Sequence, residues 1–158
     1  MQHVSTQLLK VAIIGIALII AVLGVFWLPW QANSLGHVYP EFLYLQYPLL
    51  IGVYATMIPF FIALYYAYQI VRYIDKGHSF TKPPANYLNY IKYCAFTVCI
   101  LYLAGLITLV SQGAGNLAVW LVTLIIAFSS FIIAIFASVL RELLNKAIYI
   151  QNENDLTV

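Results

Sequence analysis

The chain has 158 residues, 64% of them hydrophobic and only 8% charged, with a mean hydropathy of +0.93. Soluble domains carry charge on about a quarter of their residues, so this composition excludes a soluble protein and describes an integral membrane one. The length holds four spans of about 20 to 25 residues with short connections, hence one domain; a net charge of +2, from seven scattered basic residues against five acidic ones, excludes direct nucleic-acid binding.

The first long uncharged window covers residues 11–30 and follows Lys10. It is longer than a signal-peptide core of about 7 to 15 residues, and "WQANS" puts the bulky Trp30 close before any cut after Ala32. It is therefore read as a retained helix. Three further windows, 47–71, 93–110 and 117–140, also lack charge for long enough to cross about 30 Å of hydrocarbon. In lipid each must be helical, because only an internal backbone ladder satisfies the peptide groups there. The predicted fold is all-α and polytopic: a bundle of four transmembrane helices forming a single domain over 1–158, with the fourth extended beyond the membrane.

The first loop, "QANSLGHVYPEFLYLQ", carries Gly36 and Pro40 as breakers, and the last, "SQGAGN", is a tight turn that makes the third and fourth helices antiparallel neighbours. Neither contains Lys or Arg. The middle loop, 72–92, carries Arg72, Lys76, Lys82 and Lys92; Lys10 precedes the first span, and Arg141 and Lys146 follow the fourth. By the positive-inside rule this side is cytoplasmic, with both termini inside.

The opposite edge carries Trp27, Trp30, Tyr39, Tyr44 and Tyr47 around the first loop and Trp120 after the last. One reading is an aromatic belt at headgroup level. The other is a ligand rim for an apolar or cationic compound, formed by Trp27, Trp30 and Tyr44, with His37 and Glu41 as polar handles. In the second window Pro59 removes a backbone hydrogen bond and predicts a kink or a free carbonyl. Tyr65, Tyr66, Tyr68 and Tyr73 fall on several faces of that helix, a pattern of packing and interfacial anchoring.

No span contains an ionisable residue, which argues against proton-coupled transport. His3, His37 and His78 fall in tails or loops, away from haem-ligand positions. Cys94 and Cys99 stand five apart, without redox-pair spacing, and are read as small apolar fillers. No metal-ligand spacing, phosphate loop or activated nucleophile is present. The expectation is a non-enzyme with no cofactor and no metal.

Three features meet on the basic side. "SVLRELLNKAIYIQNEN" continues the fourth helix with an apolar stripe of Leu140, Leu143, Leu144, Ala147 and Ile148, which needs a partner: the membrane surface, the protein's own inner loop, or another protein. In "DKGHSFTKPP", Gly77 suits a left-handed helix end and Thr81 a cap with Pro83 and Pro84 in the first turn, while Phe80 is expected to tuck under the bundle. The tail 141–158 ends in "ENDLTV", with carboxylates on Glu153 and Asp155, Asn154 between them, and apolar ends at Leu156 and Val158. It reads either as a solvated tail or as a short extended peptide that docks on a partner.

"GHSFT" at 77–81, the four spans and above all the ending Glu153 to Val158 resemble the YoaS-like family of small bacterial membrane proteins, a domain of unknown function (DUF 2975). The likeness covers essentially the whole chain; it departs after the Phe-Thr pair, where Lys82, Pro83 and Pro84 precede Asn86 and an acidic residue is expected. The resemblance implies a multi-pass protein of the bacterial cytoplasmic membrane. Members are often encoded beside a very small helix-turn-helix regulator, which implies a sensor or tether. The resulting expectation is that Phe80, Thr81, Leu140, Leu143, Leu144, Ile148, Glu153, Asn154, Asp155 and Leu156 bind such a regulator. The alternative is a small oligomeric channel, transporter or efflux accessory subunit for apolar compounds. Membrane lipid and a second copy of the chain are further expected partners.

Overall fold

The computed structural model describes residues 2–157. In chain order it comprises α1 (Gln2–Val22), a π-helical segment (Leu23–Trp27), α2 (Leu28–Val38), a 3-10 segment (Pro40–Leu45), α3 (Gln46–Asp75), α4 (Lys82–Ser111) and α5 (Leu117–Leu156). These make four rods, each long and apolar enough to cross a membrane: His3–Val38, Pro40–Asp75, Lys82–Ser111 and Leu117–Leu156. Successive rods run in opposite directions. Both ends of the described chain therefore lie with the α3–α4 connection at the basic end.

The helices outlast the uncharged windows because nothing in their flanks breaks them. The first loop is mostly absorbed: α2 runs through Gly36 to Val38, and the chain reverses at Tyr39 (φ −126°, ψ 72°) before Pro40. Gly36 does not break the helix. A Cβ there would lie 2.9 Å from Leu43 Cδ2, so its job is to let the 3-10 segment approach. The basic loop shrinks from 72–92 to 76–81, closed by Gly77 at φ 74°. Pro83 and Pro84 do occupy the first turn of α4, where their missing N–H groups cost nothing. Pro59 lies inside an uninterrupted α3.

The anticipated bundle is an open row. α4 and α5 make the most extensive contact, α3 packs on α4, and α1 packs on α3; among the described residues no comparable contact joins α1 to α4 or α5. The α4–α5 seam explains why that pair is closest. Its α5 side buries Thr123, Ala127, Ser130, Ala134 and Ala137, alternating steps of four and three, and its α4 side buries Ala85, Ala95, Cys99 and Leu106. Apolar burial drives little between helices already in lipid, so small side chains that let backbones approach supply the packing instead. Ala134 is 0% exposed.

The α5 rhythm continues past the uncharged stretch through half-buried Arg141, Leu144 and Ile148. Opposite them, the buried face of α4 ends at Pro84 and Ala85. Part of the predicted stripe is thus satisfied within the chain, while Leu140 and Leu143 stay exposed. The tail is neither extended nor irregular: α5 stays helical to Leu156, with residues 149–157 exposed. Val158 lies outside the described residues. At about 1.5 Å per residue, the 40 residues of α5 span about 60 Å, twice the hydrocarbon thickness.

Candidate functional site

At the aromatic end a cavity of about 610 Å³ opens between α2, the 3-10 segment, the start of α3 and the α4–α5 turn. Leu28, Leu35, Leu49, Leu50, Val53 and Leu109 line it, with Tyr39 and Phe42 at its edge. Its polar lining comes from Gln31, Gln46, Asn116 and one carboxylate, Glu41, beside the Tyr39 phenol. The volume suits a drug-sized ligand, and apolar walls with a few polar groups are the usual make-up of a small-molecule site.

Hydrogen bonds brace this end. Gln46 Nε2 donates to Asn33 Oδ1 (2.9 Å), tying α3 to α2 across the reversal, and Tyr44 donates to Gln112 Oε1 (3.0 Å), tying the 3-10 segment to the α4–α5 turn. Asn116 caps α5 by accepting from the Val119 amide at 2.9 Å. Of the five rim residues read from the sequence, Glu41 lines the cavity. Trp27, Trp30, His37 and Tyr44 are exposed and lie outside its lining.

Below the cavity a feature invisible to the sequence reading joins the first two rods. Pro29 has no N–H, and the ladder before it slips into π register, with the Leu28 amide reaching Leu23 O. In that register the Gly24 carbonyl looks toward residue 29, which cannot donate. Tyr54 of α3 supplies the proton instead, its hydroxyl 2.8 Å from Gly24 O. Gly24 also seats Met57, whose Cε would lie 2.5 Å from a Cβ at that position. A Pro preceded four or five residues earlier by Gly, and a Tyr in the next helix, were the available signals.

At the basic end three side chains of α1 converge on the last residue of α3. Lys10 Nζ donates to Asp75 Oδ2 at 2.6 Å, Thr6 Oγ1 donates to Asp75 Oδ1 at 2.8 Å, and His3 Nδ1 lies 3.0 Å from the same oxygen. Asp75 lies beyond the uncharged stretch 47–71, and the Lys10 bond first, then Thr6 and His3, hold its carboxyl well below the usual carboxylate range. The cluster clamps the amino end of the chain to α3. Asp75 was legible as the one acid in a basic loop, but its partners, over sixty positions away, were not.

On the other flank, Arg141 donates to Asn89 Oδ1 at 3.1 Å, and its buried Nε has no partner. Phe80, expected to be tucked in, is 57% exposed, because the six-residue connection is too short to fold back under the rods. Thr81 occupies the cap position of α4 in extended conformation, yet its hydroxyl donates back to His78 O (2.7 Å) instead of capping forward. Leu143, Glu153, Asn154, Asp155 and Leu156 are exposed on the projecting part of α5, and Leu144 and Ile148 are half-buried against the fold. Cys99 is buried in the seam as a filler, and no cluster of potential metal ligands occurs among the described residues.

A row of four membrane-spanning helices with an apolar cavity at one end and a projecting helix at the other defines a small polytopic membrane protein. The family described as "Protein of unknown function (DUF2975)" matches residues 30–158, and the chain belongs to that family. It is also 40% identical over 160 residues, covering the whole of both chains, to "Uncharacterized membrane protein YoaS" of Bacillus subtilis (strain 168). No solved structure matches.

Proposed function

We propose that this protein is a membrane-bound sensor that holds a small cytosolic helix-turn-helix regulator and releases or retains it according to the occupancy of the outer cavity. The observation that carries this reading is the geometry of α5. Its first turns lie beside the cavity, through Asn116 and Val119. Its last sixteen residues, 141–156, reach about 24 Å past the uncharged span. One continuous helix thus begins at a ligand-sized space and ends as a free docking element.

The projecting end suits such a partner. Leu143 and Ile150, two turns apart, and the terminal Leu156 are exposed, 56%, 57% and 87% respectively, and offer anchors of the helix-in-groove kind. Glu153 and Asp155 make the distal turns acidic, which complements the basic surface of a DNA-binding protein and steers its approach. Topology by the positive-inside rule puts this end in the bacterial cytosol. A ligand that fits the cavity better in one arrangement of α2 against the α4–α5 turn shifts the balance between the arrangements by that difference in affinity.

The test compares the intact chain with one ending at Ile150, both extracted in detergent from native membranes, with co-purifying proteins identified by mass spectrometry. The truncation removes only exposed turns, so membrane insertion is unaffected. A small helix-turn-helix protein retained by the intact chain alone supports the reading; equal retention by both, or none by either, refutes it. The large apolar cavity also fits an oligomeric carrier of apolar compounds. Compound flux in vesicles reconstituted with the pure protein, unaffected by the truncation, would favour that function instead.

A further inference from the structure

We infer that the open pocket between the basic ends of α3 and α4 is a phosphate site, suited to the phosphate of an anionic lipid headgroup or to the free ion. The pocket, of about 400 Å³, is lined by Gln69, Arg72, Tyr73, Lys76, His78 and Tyr87. It is separate from the outer cavity and independent of the regulator reading.

Three observations converge. The first is charge. Arg72 in the last turn of α3 and Lys76, the residue that caps it, stand four positions apart, a like-charge spacing that repels in the absence of an anion. His78 follows just after the helix ends, and no carboxylate lines the pocket.

The second is the fate of the acids. The chain has five. Glu41 lies at the opposite end, Asp75 is turned to Lys10, Glu142 pairs with Lys146 at 3.3 Å, and Glu153 and Asp155 sit on the exposed tail. Among the described residues neither Arg72 nor Lys76 has a carboxylate partner. The nearest acid, Asp75, is engaged by Lys10, Thr6 and His3 of α1 and does not line the pocket.

The third is depth and shape. Arg72 is the first charged residue after the uncharged stretch 47–71, which sets the pocket at headgroup level. Its aromatic wall is fixed: Tyr87 stacks on Tyr66 (5.4 Å between ring centroids), Tyr66 stacks on Tyr90 (4.9 Å), and Tyr73 meets Tyr87 edge-on (5.9 Å). A guanidinium fork that can bind two phosphate oxygens, an ammonium and two phenol hydroxyls are the donors such a group needs. Basic pockets between membrane helices take anionic headgroups for this reason.

The experiment uses the full chain, delipidated in detergent, with phosphatidylglycerol or phosphatidylcholine added and bound lipid read by native mass spectrometry. Phosphatidylglycerol is expected to be retained in clear preference to phosphatidylcholine. In R72Q/K76Q its affinity falls about 30-fold, at about five- to sixfold per lost cation. K82Q/K146Q, with the same loss of charge elsewhere, keeps wild-type retention, and R72K/K76R preserves the preference. Millimolar inorganic phosphate that displaces the lipid identifies the free ion as a sufficient ligand; failure to displace it assigns the site to the lipid. Equal retention of the two lipids by the wild type overturns the inference without reference to any variant. So does a loss in K82Q/K146Q as large as that in R72Q/K76Q.

Discussion

Replacing Tyr54 with Phe tests whether Pro29 has made the second rod responsible for the first rod's backbone. The change deletes one oxygen and keeps the ring, so packing is nearly unaltered. What it removes is the donor to Gly24 O, now 2.8 Å away. The π register offers that carbonyl only residue 29, a proline, so it is left without a partner in a place water does not reach. Stranding a buried acceptor costs about 1–3 kcal/mol. For a chain of this size each kcal/mol moves a melting midpoint by about 2–4 °C, so the expected fall is about 2–12 °C.

Tryptophan fluorescence during a thermal ramp in detergent reads the change, since Trp27 lies within the π segment itself. The cycle is closed with Pro29→Ala, which restores an N–H at residue 29 and gives Gly24 O a backbone donor in either register. In that background Tyr54→Phe should cost only a few tenths of a kcal/mol, and the difference between backgrounds measures the coupling. Equal losses with and without Pro29 would refute the reasoning, as would a single variant that melts with the wild type.

Asp75→Asn should free the amino end, read as faster amide exchange over residues 3–10 with little change in the α4–α5 pair. The carboxyl is depressed in the folded protein, so the clamp's contribution is complete above the ordinary value of about 4 and is lost as pH falls through the lower folded value. Exchange protection of the same residues should therefore be flat from pH 8 to pH 5 and fail only in strong acid; a transition near pH 6 would contradict this. Ala134→Leu inserts three carbons where exposure is 0% and should cost about 1–3 kcal/mol, whereas Ile133→Leu on the exposed face should cost almost nothing; both are read as melting midpoints. Asn89→Ala strips Arg141 of its side-chain partner among the described residues and should destabilise by about 1–3 kcal/mol, while Arg141→Met, which removes the charge and keeps the length, should be neutral or stabilising. The reverse order of those two melting points would mean that Arg141 has another partner.

The fold's outline was legible because lipid leaves one option per window: an uncharged run long enough to cross must be a helix. The tight α4–α5 turn and the left-handed Gly77 were legible for a similarly local reason. What escaped was set by distance in sequence. Asp75 finds Lys10 sixty-five positions away, Tyr54 finds Gly24 thirty away, and neither pairing leaves a local pattern. The tail was legible in part: helix formers carry the fourth helix on through "QNEN", and α5 adds only Asp155 and Leu156 beyond it, since a rod whose nucleation is already complete needs only propagation. Glu41 reached the cavity while Trp27, Trp30, His37 and Tyr44 did not; for His37 the reason is that the helix expected to end near residue 30 runs on to Val38 and carries it on its exposed surface.

The open row also says where this protein can move. α4 and α5 meet along a seam of small residues whose backbones approach closely, so that pair behaves as one body. The first rod has no such seam and holds to α3 chiefly at three points: the bonds of the reversal, the Tyr54 bond at Gly24, and the Asp75 clamp. The outer cavity lies between these unequal halves, with α2 on one side and the α4–α5 turn on the other. A ligand there displaces the half that resists less, which is the first rod together with the 3-10 segment that follows it, and among the described residues Tyr44 to Gln112 is the side-chain bond that ties that segment to the α4–α5 turn. Tyr44→Phe should therefore loosen the cavity without touching its lining. If occupancy controls the projecting end of α5, that variant should alter partner retention in the absence of any ligand, although Tyr44 lies at the opposite end of the molecule from the docking turns. Unchanged retention would mean that the cavity and the projecting helix act independently.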